Sequence, residues 1–190
     1  MVEKGKVDKW KMKKWYIVVA PKIFNGVPIG ETPAVKPNMV EGRTVVITLD
    51  KLTGDRKLKH IDVKCRVKEV QGQNANTYLV GHTIKHGYIM RMARRRKSKA
   101  DVHMTVETKD GRKVRISAVT ICGTKAERKN ETAIRKIMTE EIREEAKNKN
   151  FEDLFESLIL GSVSDRIFNR AKDLAPIKKI EVTKTELLEA

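Results

Sequence analysis

The hydrophobic pattern of this chain changes period near Gly123, and that change constrains the fold. Upstream of it, apolar and polar residues alternate. In residues 60–70, Ile61, Val63, Cys65 and Val67 share one face while Asp62, Lys64, Arg66 and Lys68 share the other, the mark of a strand with a core side and a wet side. Strand-like runs recur over 15–20, 44–49, 77–83, 101–108 and 114–121, and Lys109-Asp110-Gly111-Arg112 between the last two is a hairpin signal. Thr53-Gly54-Asp55 supplies a turn, and Gly81 marks a bulge or a close backbone approach. Downstream, Ile134, Ile137, Met138, Ile142 and Ala146 recur three or four apart, which predicts an amphipathic helix over 130–147. A second helix through Phe151, Leu154, Phe155, Leu158 and Ile159 is expected to be capped by Asn150 and ended by Gly161. A third begins at Ser164 and carries Ile167, Phe168, Ala171 and Leu174, after which Ile177, Ile180 and Val182 return to alternation.

Strands followed by helices predict an α+β fold: an antiparallel, barrel-like β-sheet body of six or seven strands, with C-terminal amphipathic helices and a basic N-terminal arm. Pro21, Pro28, Pro33 and Pro37 are expected to hold residues 21–40 as an irregular surface loop. Residues 86–95 are expected to form a short helix with arginines on its last turn. A chain of 190 residues can bury roughly 70% of its unfolded surface, enough for one core without disulfides. Cys65 and Cys122 are accordingly read as buried free thiols. The expected organisation is an arm over 1–14, a basic β body over 15–123 and a charge-balanced helical segment over 124–190, packed as one domain. No run of about 18 apolar residues exists and the start lacks the apolar centre of a signal peptide, so a soluble, cytosolic protein is expected.

Charge follows the same division. Residues 1–120 hold 27 Lys+Arg against 11 Asp+Glu, and the remaining 70 hold 14 of each, so the whole net charge of +16 resides in the β half. Its densest part is Arg91, Arg94, Arg95, Arg96, Lys97 and Lys99, six cations in nine residues with no acid among them. Guanidinium forks clamp phosphate oxygens with paired hydrogen bonds, so this cluster reads as a nucleic-acid site in preference to a solvated loop. Lys64, Arg66 and Lys68 on the wet face of one strand are a weaker candidate, because such residues also protect sheet edges. Lys11, Lys13 and Lys14 lie between Trp10 and Trp15, an interleaving suited to base stacking, although Trp15 is expected to anchor the first strand in the core. Arg112 at the hairpin tip, and Lys125, Arg128 and Lys129 after the last hairpin strand, complete the charge-based set.

Enzymatic chemistry has little support in the sequence. Neither paired cysteines at zinc spacing nor a phosphate-binding loop nor a nucleophile elbow is present, and no cofactor or metal is expected. The enzyme alternative is a metal nuclease built on His103 and Glu107 with Asp101. The binding alternative is a free RNA-binding chaperone or translational regulator that uses the same basic patch.

Ordered fragments along the chain add a resemblance. Lys14-Trp15-Tyr16, Ala20-Pro21 and Phe24-Asn25 come first, then Val40-Glu-Gly-Arg43 with the Thr-Val-Val-Ile-Thr-Leu run, and then Val70-Gln-Gly72. Thr108-Lys-Asp-Gly111 with Arg115, and Ile134-Arg135-Lys136-Ile137-Met138, follow in the same order. Together they resemble the small-subunit ribosomal protein family S-three-Ae, also called e-S-one. The chain departs from that pattern at Val46 and near Lys51, where the family commonly carries acids. The resemblance implies a structural protein of the small subunit's platform, bound to small-subunit rRNA near its 3′ end and close to the mRNA exit path, with neighbouring ribosomal proteins as partners. The motif positions add Arg43, Arg135 and Lys136 to the expected RNA-binding residues.

Overall fold

A computed structural model of the protein describes residues 10–188, so residues 1–9 of the expected arm lie outside the described residues. The N-terminal half runs β1 (Lys14–Val19), β2 (Pro28–Ala34), β3 (Thr44–Thr48), α1 (Leu49–Thr53), β4 (Ile61–Gln71) and β5 (Asn74–Ile84). It continues through α2 (His86–Met92), the hairpin β6 (Lys99–Glu107) and β7 (Lys113–Cys122), then α3 (Arg128–Asn148), α4 (Phe151–Leu160), α5 (Ser162–Ala171) and β8 (Ile177–Leu188). The α+β class therefore holds. Three details differ from expectation: the described residues contain eight strands, the sheet is open where a barrel-like body was expected, and it is mixed where a purely antiparallel one was expected.

The reason for the open sheet lies in β5. Its order is β2-β1-β5-β8-β7-β6, with β4 on the other side of β5 and β3 outside β4. One edge of β5 is divided between two partners: residues 74–76 pair in parallel with β1, and residues 81–83 pair antiparallel with β8. A strand whose edge is split this way branches the sheet, and the outer strands β2, β3 and β6 never meet to close it. The additional strand, β2, occupies the proline-rich segment. Among the described residues it pairs only with β1, placing Pro33 opposite Trp15 and Pro28 opposite Val19, and such an edge position tolerates a residue with no N–H to donate.

Alternation gives β4 its core face, where Ile61, Val63, Cys65 and Val67 are all buried. Burial raises the Cys65 thiol to about 11, and Cys65 and Cys122 are both free and buried. On β1 the alternation buries Tyr16 and leaves Trp15 55% exposed, so the expected anchoring role belongs to Tyr16. Ile134, Met138, Ile142 and Ala146 of α3 meet Phe151, Phe155 and Leu158 of α4 and Ile167 of α5 in one apolar cluster with the strands. Glu141 and Glu145 are buried beside them and are covered from α5: Arg166 Nε lies 3.3 Å and Arg170 Nη1 2.5 Å from Glu141, and Arg166 Nη2 lies 2.5 Å from Glu145. Lys149 Nζ adds an ion contact to Glu145 at 2.8 Å. Lysine, arginine and shared hydrogen bonds overcome the burial cost and hold the Glu145 carboxyl below the usual range.

Asn150 stands at the start of α4 but makes no side-chain capping bond. Asp110, from the hairpin turn, takes that role instead, its carboxylate accepting from Phe151 N at 3.2 Å. Lys109 N also donates to Lys149 O at 3.1 Å, so the turn between β6 and β7 is fastened to the junction of α3 and α4. Gly161 closes α4 with φ +88, a left-handed conformation that a side chain would strain.

His82 sits where the branches of the sheet join. Its imidazole is buried between Thr185 Oγ1 at 2.8 Å and Val182 O at 2.9 Å, with the Phe155 ring edge-on at 5.5 Å. Burial lowers its pKa from 6.5 to about 4, the Val182 bond opposing only in part. The unfolded chain thus binds a proton that the folded chain refuses between these values. Stability is full above about pH 6.5 and declines as pH falls toward 4, by about 2 kcal/mol between about pH 7 and pH 5. Urea unfolding at the two pH values should show that loss, and His82→Asn should flatten it; an equal pH dependence in both proteins would exclude His82 as the source.

Candidate nucleic-acid interface

Three loops meet at the end of the sheet where β6 begins, β7 ends and β8 begins. Main-chain bonds stitch them together: Ser98 N donates to Thr124 O at 3.3 Å, Cys122 N to Ser98 O at 2.9 Å and Gly123 N to Pro176 O at 2.7 Å. Ser98 is buried, and its hydroxyl accepts from Ala126 N at 2.9 Å. A small buried residue thus fixes the base of the arginine loop, while the charged side chains on either side of it remain outside.

The arginine cluster does not ride on a helix, as expected, beyond its first member. Helix α2 stops at Met92, so only Arg91 is helical and Arg94, Arg95 and Arg96 follow in a turn. Arg96 adopts a left-handed φ of 63, and Lys97 N returns to Arg94 O at 3.3 Å, so the chain turns sharply here. Arg91, Arg94, Arg95 and Arg96 are exposed. Arg94 Nε donates to Arg91 O at 3.2 Å, and none of these four is paired with a carboxylate among the described residues. Lys99 differs, for its Nζ lies 2.9 Å from Asp101. Lys125, Arg128 and Lys129 emerge, exposed, from the second loop and the first turn of α3. Lys178, the second residue of β8, joins the same end and was not apparent in the sequence because it lies in the charge-neutral segment.

A profile of the Ribosomal S3Ae family matches residues 2–190. The chain belongs to the Ribosomal S3Ae family. Small ribosomal subunit protein eS1 of Sulfurisphaera tokodaii is 39% identical over 183 residues, covering 96% of this chain and 95% of that protein. Small ribosomal subunit protein eS1 of Methanothermobacter thermautotrophicus is 35% identical over 182 residues, covering 96% and 93% respectively. The protein of the same name from Sulfolobus acidocaldarius is 36% identical over 184 residues, with the same shares.

In this S3Ae chain the other expected contacts occupy separate places. Lys64 stands across from Gly81, which in turn faces Glu186 and then Arg115 in the neighbouring strands. Glu186 is held below the usual carboxylate range by Lys184 first, with Lys64 and Arg115 adding to it, so cations on the wet sheet face are partly neutralised within the protein. Arg66 is half-buried opposite Thr44 and Tyr78, and Lys68 is exposed. Arg43 reaches back to β2, donating to Thr32 Oγ1 at 2.5 Å and Pro33 O at 3.1 Å. Arg135 pairs with Glu131 at 3.6 Å, while Lys136 is exposed on α3. Arg112 is exposed at the far end of the nine-residue β6, roughly 30 Å from the arginine loop. Lys13 Nζ lies 4.1 Å from the centre of the Trp10 ring, Lys11 and Lys14 flank it, and Trp10 is 62% exposed.

The nuclease candidates have other occupations. His103 Nδ1 bonds Ser117 Oγ at 2.9 Å, Asp101 holds Lys99, and Glu107 lies 3.7 Å from Lys113. Among the described residues no group of three His, Cys, Asp or Glu side chains is placed to hold a metal ion.

Proposed function

We infer that this protein is a structural component of the small ribosomal subunit, working in the cytoplasm as part of the ribosome and supporting translation without catalysing a reaction. End-to-end similarity to archaeal proteins named small ribosomal subunit protein eS1 carries the inference. The stitched, cation-rich end of the sheet supplies the physical means. Small-subunit rRNA is its principal partner, met through phosphates and shape. Arg91, Arg94, Arg95, Arg96, Lys97, Lys125, Arg128 and Lys129 form the main contact surface. Lys11 and Lys13 before β1, Lys14 at its start and Lys68 on β4 add further contacts. The charge-balanced helices over 124–190 meet neighbouring ribosomal proteins, and the basic β body over 15–123 faces the RNA. The family resemblance further suggests a platform position near the rRNA 3′ end and the mRNA exit path.

Sedimentation tests the assignment. In a gradient of cell extract the protein should travel with small subunits in near-unit amount, and its absence from purified subunits would refute the reading. The electrostatic part has a separate measure. If about six phosphates are neutralised, affinity for small-subunit rRNA should fall roughly a thousandfold between about 50 mM and about 200 mM salt. A nearly flat salt dependence would rule out phosphate contacts as the main source of binding.

A further inference from the structure

Most lysines at the start of β6 and β8 have a partner acid two residues ahead. Lys99 and Lys179 both stand opposite Ile121, and they pair with Asp101 and Glu181 at 2.9 and 2.8 Å. Lys97 and Lys178, just upstream of these two, have no such partner. Position 98 is tied to Thr124 and Gly123 to Pro176, so the loops bring Lys97 and Lys178 side by side although 81 residues separate them in sequence. Lys178 is exposed and Lys97 half-buried. The Lys178 charge is the largest influence on Lys97, followed by partial burial and then by Arg94, and together they hold the Lys97 ammonium below the usual lysine range. Glu127 and Asp173 on the adjoining turns make ion pairs with none of the three cations. Like charges held together without a counter-charge raise the energy of the free protein, and an arriving anion relieves it.

We propose that Lys97, Lys178 and Arg94 form a discrete phosphate subsite in which one phosphate group bridges the two lysines while the Arg94 guanidinium grips it from the side. This rests on the rRNA-binding reading and deepens it, because it assigns the final strand of the charge-neutral segment to the RNA interface. A bridging phosphate would also fasten the start of β8 to the arginine loop, joining chain segments that the main-chain bonds already align. The same chemistry suits an RNA backbone phosphate or a free polyphosphate, and size and shape separate the two.

The test uses the full-length protein, its Lys97→Gln and Lys178→Gln variants and the double variant, with small-subunit rRNA as one probe and inorganic tripolyphosphate as the other. Each single variant should bind rRNA about tenfold more weakly, with a salt slope shallower by about one. The double variant should be little weaker than either single one, because both lysines hold one phosphate. Thermal unfolding should be unchanged or raised in Lys178→Gln, since a repulsion has been removed. Saturation by rRNA at concentrations where tripolyphosphate leaves the protein free assigns the subsite to an RNA chain; equal competition by tripolyphosphate would overturn that assignment. Independent, multiplying losses would overturn the shared phosphate, as would Lys178→Gln binding as tightly as the parent. If the unaltered protein fails to bind rRNA at all, the underlying functional reading falls instead, so the two failures are distinct.

Discussion

Gly81→Ala should destabilise this protein by about 3 kcal/mol or more, the larger end of what overpacking costs. A Cβ at this position would overlap Thr185 O and lie 2.8 Å from the Thr185 carbonyl carbon. Neither atom belongs to a side chain that could turn away. The clash falls on the three-residue pairing of Gly81, His82 and Thr83 with Glu186, Thr185 and Lys184, the only ladder that joins the two branches of the sheet among the described residues. Val80 is the extra residue that lets β5 reach this geometry, since Lys64 faces Gly81 while the next residue, Cys65, faces Leu79. Relief of the clash requires β8 to move, and β8 carries β7 and β6 with it. The unfolding temperature should fall by roughly 6–12 °C for a chain of this size. Gly30→Ala on the edge strand β2, where an added methyl meets nothing within 4 Å, should leave it nearly unchanged. Equal behaviour of the two variants would show that β5 and β8 are not closely packed.

Side-chain period was a good guide wherever one face of an element alone decided burial. The core faces of β4 and α3 and the hairpin between β6 and β7 follow directly from the alternation and the helical spacing in those segments. It failed where pairing partners decide. Pro28 and Pro33 argued against a strand, but a strand at the edge needs fewer donors, and nothing local in the sequence states that β2 will be an edge. Similarly, a branched sheet and a barrel share the same alternation, since the difference lies in which parts of β5 meet β1 and β8. Nothing local marks Glu141 and Glu145 of α3 as buried; Arg166 and Arg170 cover them from α5, a separate helix further along the chain.

The site was legible in part for the same reason. A run such as Arg94 to Lys97 is visible as a string of letters, and its charge survives folding because no acid among the described residues is brought to it. Lys178 stands beside Lys179 in a neutral segment and becomes significant only once β7 and β8 pair and the third loop closes on Gly123. Lys64, Arg66 and Lys68 were the weaker candidate in the sequence, and folding places Glu186 among the sheet-face charges. A row of cations on a strand shares its face with the neighbouring strands, and here Glu186 on β8 carries compensating charge; a protruding loop has fewer such neighbours.

Replacing Arg94, Arg95 and Arg96 together with Ala should lower affinity for small-subunit rRNA roughly a hundredfold to a thousandfold at moderate salt and reduce the salt slope by about three. The fold should be little affected, because all three side chains are exposed and the loop is held by Ser98, Thr124 and Ala126 main-chain and hydroxyl bonds that the substitutions leave intact. A lysine version of the same triple change separates charge from geometry. Lysine restores the point charges and hence most of the salt slope, but it cannot make the forked pair of bonds that a guanidinium offers a phosphate, so affinity should recover only in part. Full recovery would mean that the loop acts as diffuse charge alone. The loss should also be uniform across RNA sequences, since backbone phosphates are common to all of them. A sharp change in base preference in the alanine variant would instead place these arginines against base edges, and the turn at Arg96 would then have to be explained as aiming side chains into a groove.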